Sequence, residues 1–184
     1  MRKFCGKCEA MHEIIERKEV REYEIKKTKV SAEITILTCQ HCNEEVYDKD
    51  IEISNDILLF DAYKIKHHLL TSKEIISIRE KYNLSQATFS KVMGFGIKTI
   101  TRYENGSIQD NTHDNLLRLI DIEDNFYALW VMNKDNLMMT ENSKIASRFF
   151  LNVVPSTKYE YKEPCSSLYT TTIFSNGGLT YDGC

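Results

Sequence analysis

The sequence predicts an α+β chain: a small β-rich unit gathered by cysteines, then an all-α unit with a C-terminal extension. Three observations predict it. Two C-x-x-C pairs, Cys5/Cys8 and Cys39/Cys42, bracket a stretch that alternates with strand period. From Ser54 onward, apolar residues recur at helical spacing. Within that run, two short helical segments flank a glycine-bearing break, Gly94-Phe95-Gly96.

Composition limits what such a chain does. Its 184 residues suffice for one domain or two small ones. No apolar run reaches 18 residues, and MRKFCGKCEAMHE has no apolar core of a signal peptide, so a cytoplasmic protein with no membrane partner is expected. A net charge of −3 argues against a polybasic coat that holds nucleic acid by bulk neutralisation. A small reading head with local positive charge is compatible with it.

The β-rich unit is assigned to residues 1–53. In VSAEITILTC, Val30, Ala32, Ile34 and Ile36 share one face, with Ser31, Glu33, Thr35 and Leu37 on the other. A meander of two or three strands with a knuckle at each end follows. Thiolates at i and i+3 reach one ion across a tight turn, and Gly6 is expected to let the first knuckle turn back. Cys5, Cys8, Cys39 and Cys42 are therefore the expected ligands of one structural Zn²⁺ per chain. Four thiolates fill a tetrahedron and leave no place for a reactive water, so this metal staples and does not catalyse. His41 competes with Cys42 but has the poorer spacing and reads as a surface residue. Cys165 and Cys184 carry no spacing signal.

Residues 54–70 read as a helical connector. Ser72 is the expected cap of a helix over SKEIISIREKYN, with Ile75, Ile78, Arg79 and Tyr82 on one face. Ser85 caps the next helix, Gln86 to Met93. After the glycine break a third helix runs from Ile97 to about Glu104, closed by Asn105-Gly106. Two short helices across such a turn are the signature of a helix-turn-helix. A fourth helix, about Thr112 to Ile122, presents Leu116, Leu117, Leu119 and Ile120 to the same core, completing a unit over 71–122. Beyond it, 123–184 is an extension with short helices near 124–132 and 142–150, and from Pro155 a small hairpin or flexible end.

In a helix-turn-helix the second helix enters the major groove. Ile100 and Tyr103 should anchor it, leaving Lys98, Thr99, Thr101 and Arg102 outward. Arg102 leads as base reader, followed by Lys98, since guanidinium and ammonium groups reach guanine edges. Gln86 is set to meet phosphate, with Ser90 or Lys91 adding a backbone contact. Arg79 and Glu104 read as a pair holding the helices in register. No nucleophile set, carboxylate pair, phosphate-cradling loop or open metal site is recognisable, which argues against an enzyme.

C-x2-C, thirty residues, C-x2-C, followed by LSQATFSKVMGFGIKTITRYENG, resembles the YgiT-type zinc finger proteins of the MqsA antitoxin family over roughly residues 1–122. The second half is also similar to Xre-like helix-turn-helix domains through Gln86, the glycine turn and Tyr103-Glu104-Asn105-Gly106. The resemblance implies a homodimeric, DNA-binding transcriptional repressor that binds a palindromic operator in double-stranded DNA and autoregulates its operon. Its zinc unit would contact a protein toxin. The family reads bases with an Asn and an Arg; the corresponding positions here are Lys98 and Arg102, so the operator should differ. The alternative is a stand-alone or mobile-element regulator without a toxin. The departure from the family is the extension, whose Phe126, Tyr127, Trp130, Phe149 and Phe150 either pack a core for added helices or meet another partner.

Overall fold

The computed structural model describes residues 1–151. The expected hairpin or flexible end from Pro155, with Cys165 and Cys184, lies outside the described residues. Strands β1 (Arg2–Cys5), β2 (Ala10–Ile25) and β3 (Thr28–Cys39) form an antiparallel meander in that order. β2 is shared: Ala10 to Glu13 pair with β1, and Ile14 to Ile25 pair with β3. Cys5 therefore lies opposite Ala10 and Cys39 opposite Ile14, which brings both knuckles to the same end of the sheet. At the other end a two-residue turn holds Lys26 and Lys27 at φ 47° and 65°, the left-handed pair that a tight hairpin demands.

β3 carries core residues on both faces near its end. Ile34 and Ile36 pack against Leu59 of the following helix, whereas Leu37, one position out of phase, is buried with Cys5, Ile14 and Cys39. That helix, α1 (Lys49–Lys66), starts five residues ahead of the predicted connector. The Asp48 carboxylate accepts from the backbone N–H of Asp50 and Ile51, both at 3.1 Å, and so caps the first turn there. Asn55 fastens α1 to the sheet. Its amide accepts from Thr35 N at 2.9 Å and donates to Thr35 O at 2.8 Å, as a neighbouring strand would.

α2 (Ser72–Lys81) is capped by Thr71, not by Ser72: Thr71 and Glu74 form a reciprocal capping box. Ser72 is already inside the helix and serves a buried polar knot. Its N–H and hydroxyl donate to Asp61 at 2.9 and 2.8 Å. The Lys64 ammonium, with no solvent exposure, donates to Asp61, to Ser72 Oγ and to the Tyr103 carbonyl at 3.1, 2.9 and 3.4 Å. Burial pushes the Lys64 pKa down, and the Asp61 charge opposes that shift.

α3 (Gln86–Val92), α4 (Thr99–Glu104) and α5 (Asn111–Leu119) complete the bundle. Ser85 caps α3 as expected, accepting from Thr88 N at 3.1 Å. α4 begins two residues after the predicted Ile97. On α5, Leu117 and Ile120 are buried and Leu116 is half-buried, but Leu119 is 54% exposed, contrary to expectation. At about 100° per residue it lies nearly opposite Leu117 around the helix.

The extension supplies α6 (Glu123–Asn133) and α7 (Met139–Leu151). Phe126 stacks on Tyr82 at a centroid distance of 3.7 Å. Trp130 is buried and donates from Nε1 to Asn142 Oδ1 at 2.9 Å, and Phe149 packs against both aromatics. Three of the aromatics are thus core; Tyr127 is exposed.

Candidate metal centre and nucleic-acid interface

Cys5, Cys8, Cys39 and Cys42 converge, with their sulfurs all within 4.8 Å of one another. Cys5 and Cys42 sulfurs stand 3.5 Å apart. A tetrahedral cage with metal–sulfur bonds of about 2.3 Å has sulfur–sulfur edges of roughly 3.8 Å, so the set fits one ion. Cys5 and Cys39 are buried, and Cys8 and Cys42 half-buried. Each knuckle ends in a left-handed residue directly after its second cysteine, Glu9 at φ 50° and Asn43 at φ 57°. Asn43 N–H closes the second loop on Cys39 O at 2.8 Å. Gly6, expected to provide the turn, is not left-handed; Glu9 and Asn43 take that role.

The thiols are electrostatically unequal. The Cys8 backbone N–H holds Cys5 down to about 7, while hydrogen bonding with Cys42 and burial push Cys8 up to about 12. Thiolates this close oppose one another's ionisation, and a central divalent cation removes that opposition.

The second site lies around α4. Both α3 and α4 end with glycine in the left-handed position, Gly94 at φ 69° and Gly106 at φ 98°. Phe95 N bonds Ser90 O at 2.8 Å and Ser107 N bonds Arg102 O at 2.9 Å, the six-to-one closure that stops each helix. A Cβ on Gly106 would also come within 3.3 Å of Ile57 on α1.

Behind α4 lies the expected Arg79–Glu104 pair, bidentate at 2.6 and 3.1 Å. It extends further than predicted: Gln86 Nε2 donates to Glu104 at 2.6 Å, and Thr101 Oγ1 donates to Gln86 Oε1 at 2.8 Å. Gln86 and Thr101 are half-buried parts of this lock. Thr99 is half-buried, while Lys98 and Arg102 are exposed, with no ion-pair partner among the described residues. Ser90 is fully buried, and Lys91 is paired with Glu141 at 3.0 Å.

A family model described as the antitoxin component of a bacterial toxin-antitoxin system, MqsA, matches residues 1–129. The chain belongs to the MqsA antitoxin family. It is similar to the antitoxin MqsA of Escherichia coli (strain K12), 28% identical over 88 residues. That alignment covers 46% of this chain and 66% of the relative, just under two thirds of its length. The MqsA family match stops within α6, so the Trp130, Leu137 and Ile145 contributions to the core lie beyond it.

Two groups escaped the sequence reading. Lys64, in an amphipathic-looking helix, resembles any solvated lysine. His12 is the other: it gathers with the exposed His41 beside Cys8, and the Cys8-x3-His12 spacing was the available signal.

Proposed function

We propose that this chain is a sequence-specific DNA-binding repressor of the type II antitoxin kind, which pairs with a protein toxin and autoregulates its operon in the cytoplasm. Membership of the MqsA family supports the toxin partnership. No helix among the described residues is long and apolar enough to cross a membrane. The observation that carries the DNA-binding reading is the contrast on α4: a hydrogen-bonded lock behind the helix, and exposed Lys98 and Arg102 in front of it.

In this reading the two-unit division, 1–53 and 71–122, separates a metal-stapled unit from a reading head, and neither is a catalyst. Cys5, Cys8, Cys39 and Cys42 would hold Zn²⁺, which supplies four strong bonds tying the two knuckles together. Arg102 reads base edges, and Lys98 adds a second positive donor. Thr99, and Gln86 through the amide N–H not spent on Glu104, meet the backbone. Thr101 is a positioning residue that holds Gln86. A homodimer would set two such helices about 34–36 Å apart on a palindromic operator.

Arg102→Ala tests the assignment. Fluorescence anisotropy on promoter fragments should give operator binding weaker by about 1–3 kcal/mol with flattened base preference. The thermal midpoint should hold, since Arg102 is exposed. Unchanged operator affinity removes Arg102 as the reader. Copurification of the neighbouring gene's product from the native host tests the toxin half of the reading.

A further inference from the structure

Beside the four-cysteine set, one further group of metal-ligating side chains converges among the described residues. Cys8, His12 and His41 offer ligand atoms that all lie within 4.8 Å of one another. His41 Nδ1 stands 3.6 Å from Cys8 Sγ. The His12 and His41 rings stack with centroids 4.9 Å apart and planes 16° from parallel. His12 comes from β2, where it pairs with Lys3, and His41 from inside the second knuckle, so the sheet register brings them together. Both rings line an open depression of about 450 Å³ with Arg2, Met11, Glu13 and Gln40.

We propose that this triad is a second, open transition-metal site, in which the Cys8 thiolate bridges the four-cysteine ion to a divalent ion held by His12 and His41. The proposal rests on the four cysteines being a metal centre. A thiolate bound to one ion keeps lone pairs for another. Four thiolates around one divalent cation leave a surplus of negative charge, which favours a second cation next to them. Imidazole and thiolate are the donors that borderline ions such as Zn²⁺, Co²⁺ and Ni²⁺ prefer. Cys5 and Cys39 are buried, and of the two half-buried sulfurs Cys8 is the one grouped with the imidazoles.

The nearby cations are engaged elsewhere. Arg2 donates to the Met11 carbonyl at 3.1 Å, and Lys7 pairs with Glu44 at 2.8 Å. Ligation through His41 Nδ1 puts that ring's proton on Nε2. Three protein ligands leave a fourth position for water, so this ion exchanges where the four-thiolate ion is closed off.

The full-length chain, stripped of metal and titrated with Co²⁺, gives the test. The first equivalent should produce sulfur-to-cobalt charge-transfer absorption. A second equivalent should bind and shift that same band, because Cys8 sulfur is shared. The double variant His12→Gln/His41→Gln should take the first equivalent normally and stop at one; circular dichroism checks that it folds. A wild-type chain that saturates at one equivalent overturns the proposal and leaves His41 as a hydrogen-bond partner of Cys8. A double variant that still shifts the band with a second equivalent overturns it too. Absence of any charge-transfer band defeats the four-cysteine reading and the bridge with it.

Discussion

Around the knuckles the buried core is four residues, Cys5, Ile14, Leu37 and Cys39, and two of them are cysteines. In the helical part, sixteen buried residues from Leu70 to Ile145 join in one continuous cluster. The helical part thus has the apolar area to fold on its own account, whereas the knuckle end falls below the size at which burial alone suffices. There the sulfurs are packing and cross-link at once. If the four cysteines hold a metal, as proposed, its binding and the folding of that end are one process, in the manner of small metal-stapled units.

The sharpest way to break this contrast is to take the metal away. Chelation, or Cys39→Ser, removes binding on the order of 10 kcal/mol. Hydrogen exchange should then show protection lost in β2 and β3 and retained in α2 to α5. Strands that stay protected would mean that Ile34, Ile36 and Leu59 hold the sheet against α1 unaided. The reverse experiment comes next in size. Phe89 is fully buried in the helical cluster. Phe89→Ala should cost about 3–5 kcal/mol in urea unfolding of that part, while the metal content stays the same.

The smallest effect sharpens the comparison at the edge of the helical core. Glu141 accepts from Met138 N at 2.8 Å, from Thr88 Oγ1 at 2.8 Å and from Lys91 at 3.0 Å, tying α7 to α3. The Met138 N–H first, then Lys91, hold its carboxyl down to about 2 from an ordinary 4.5. A lowered acid stabilises the fold above its unfolded value and loses that contribution as pH falls through the folded one. Midpoints measured from pH 5 to 2 should therefore drop, and Glu141→Gln should flatten the drop and cost about 1–2 kcal/mol at neutral pH.

Much of this was legible because its causes are local. Cysteine spacing announces a knuckle, and Ser85, Gly94 and Gly106 mark where helices start and stop. The Arg79–Glu104 pair follows from helix faces. What escaped has tertiary causes. Leu37 belongs to a second buried face that exists only because the knuckles fold over β3. The Lys26-Lys27 turn lacks the Asn-Gly chemistry that flags such hairpins, and strand pairing imposes it. Asp48 has the chemistry of a cap, but the strand pattern runs close to it and masks the helix start. Gln86 looked like a free amide at a helix start, since a bond to Glu104, eighteen positions away, has no sequence signature.

Helix α1 has a mechanical consequence. Its 18 residues make a rod of about 27 Å. Asn55 clamps it to the sheet, and Lys64, with the close approach of Ile57 to Gly106, clamps it to the end of α4. A loose tether would let the sheet swing freely relative to α4. This rod gives it a set bearing instead, so if the sheet carries a toxin and α4 a duplex, as proposed, the toxin's bulk and shape decide by steric geometry whether both can be carried at once.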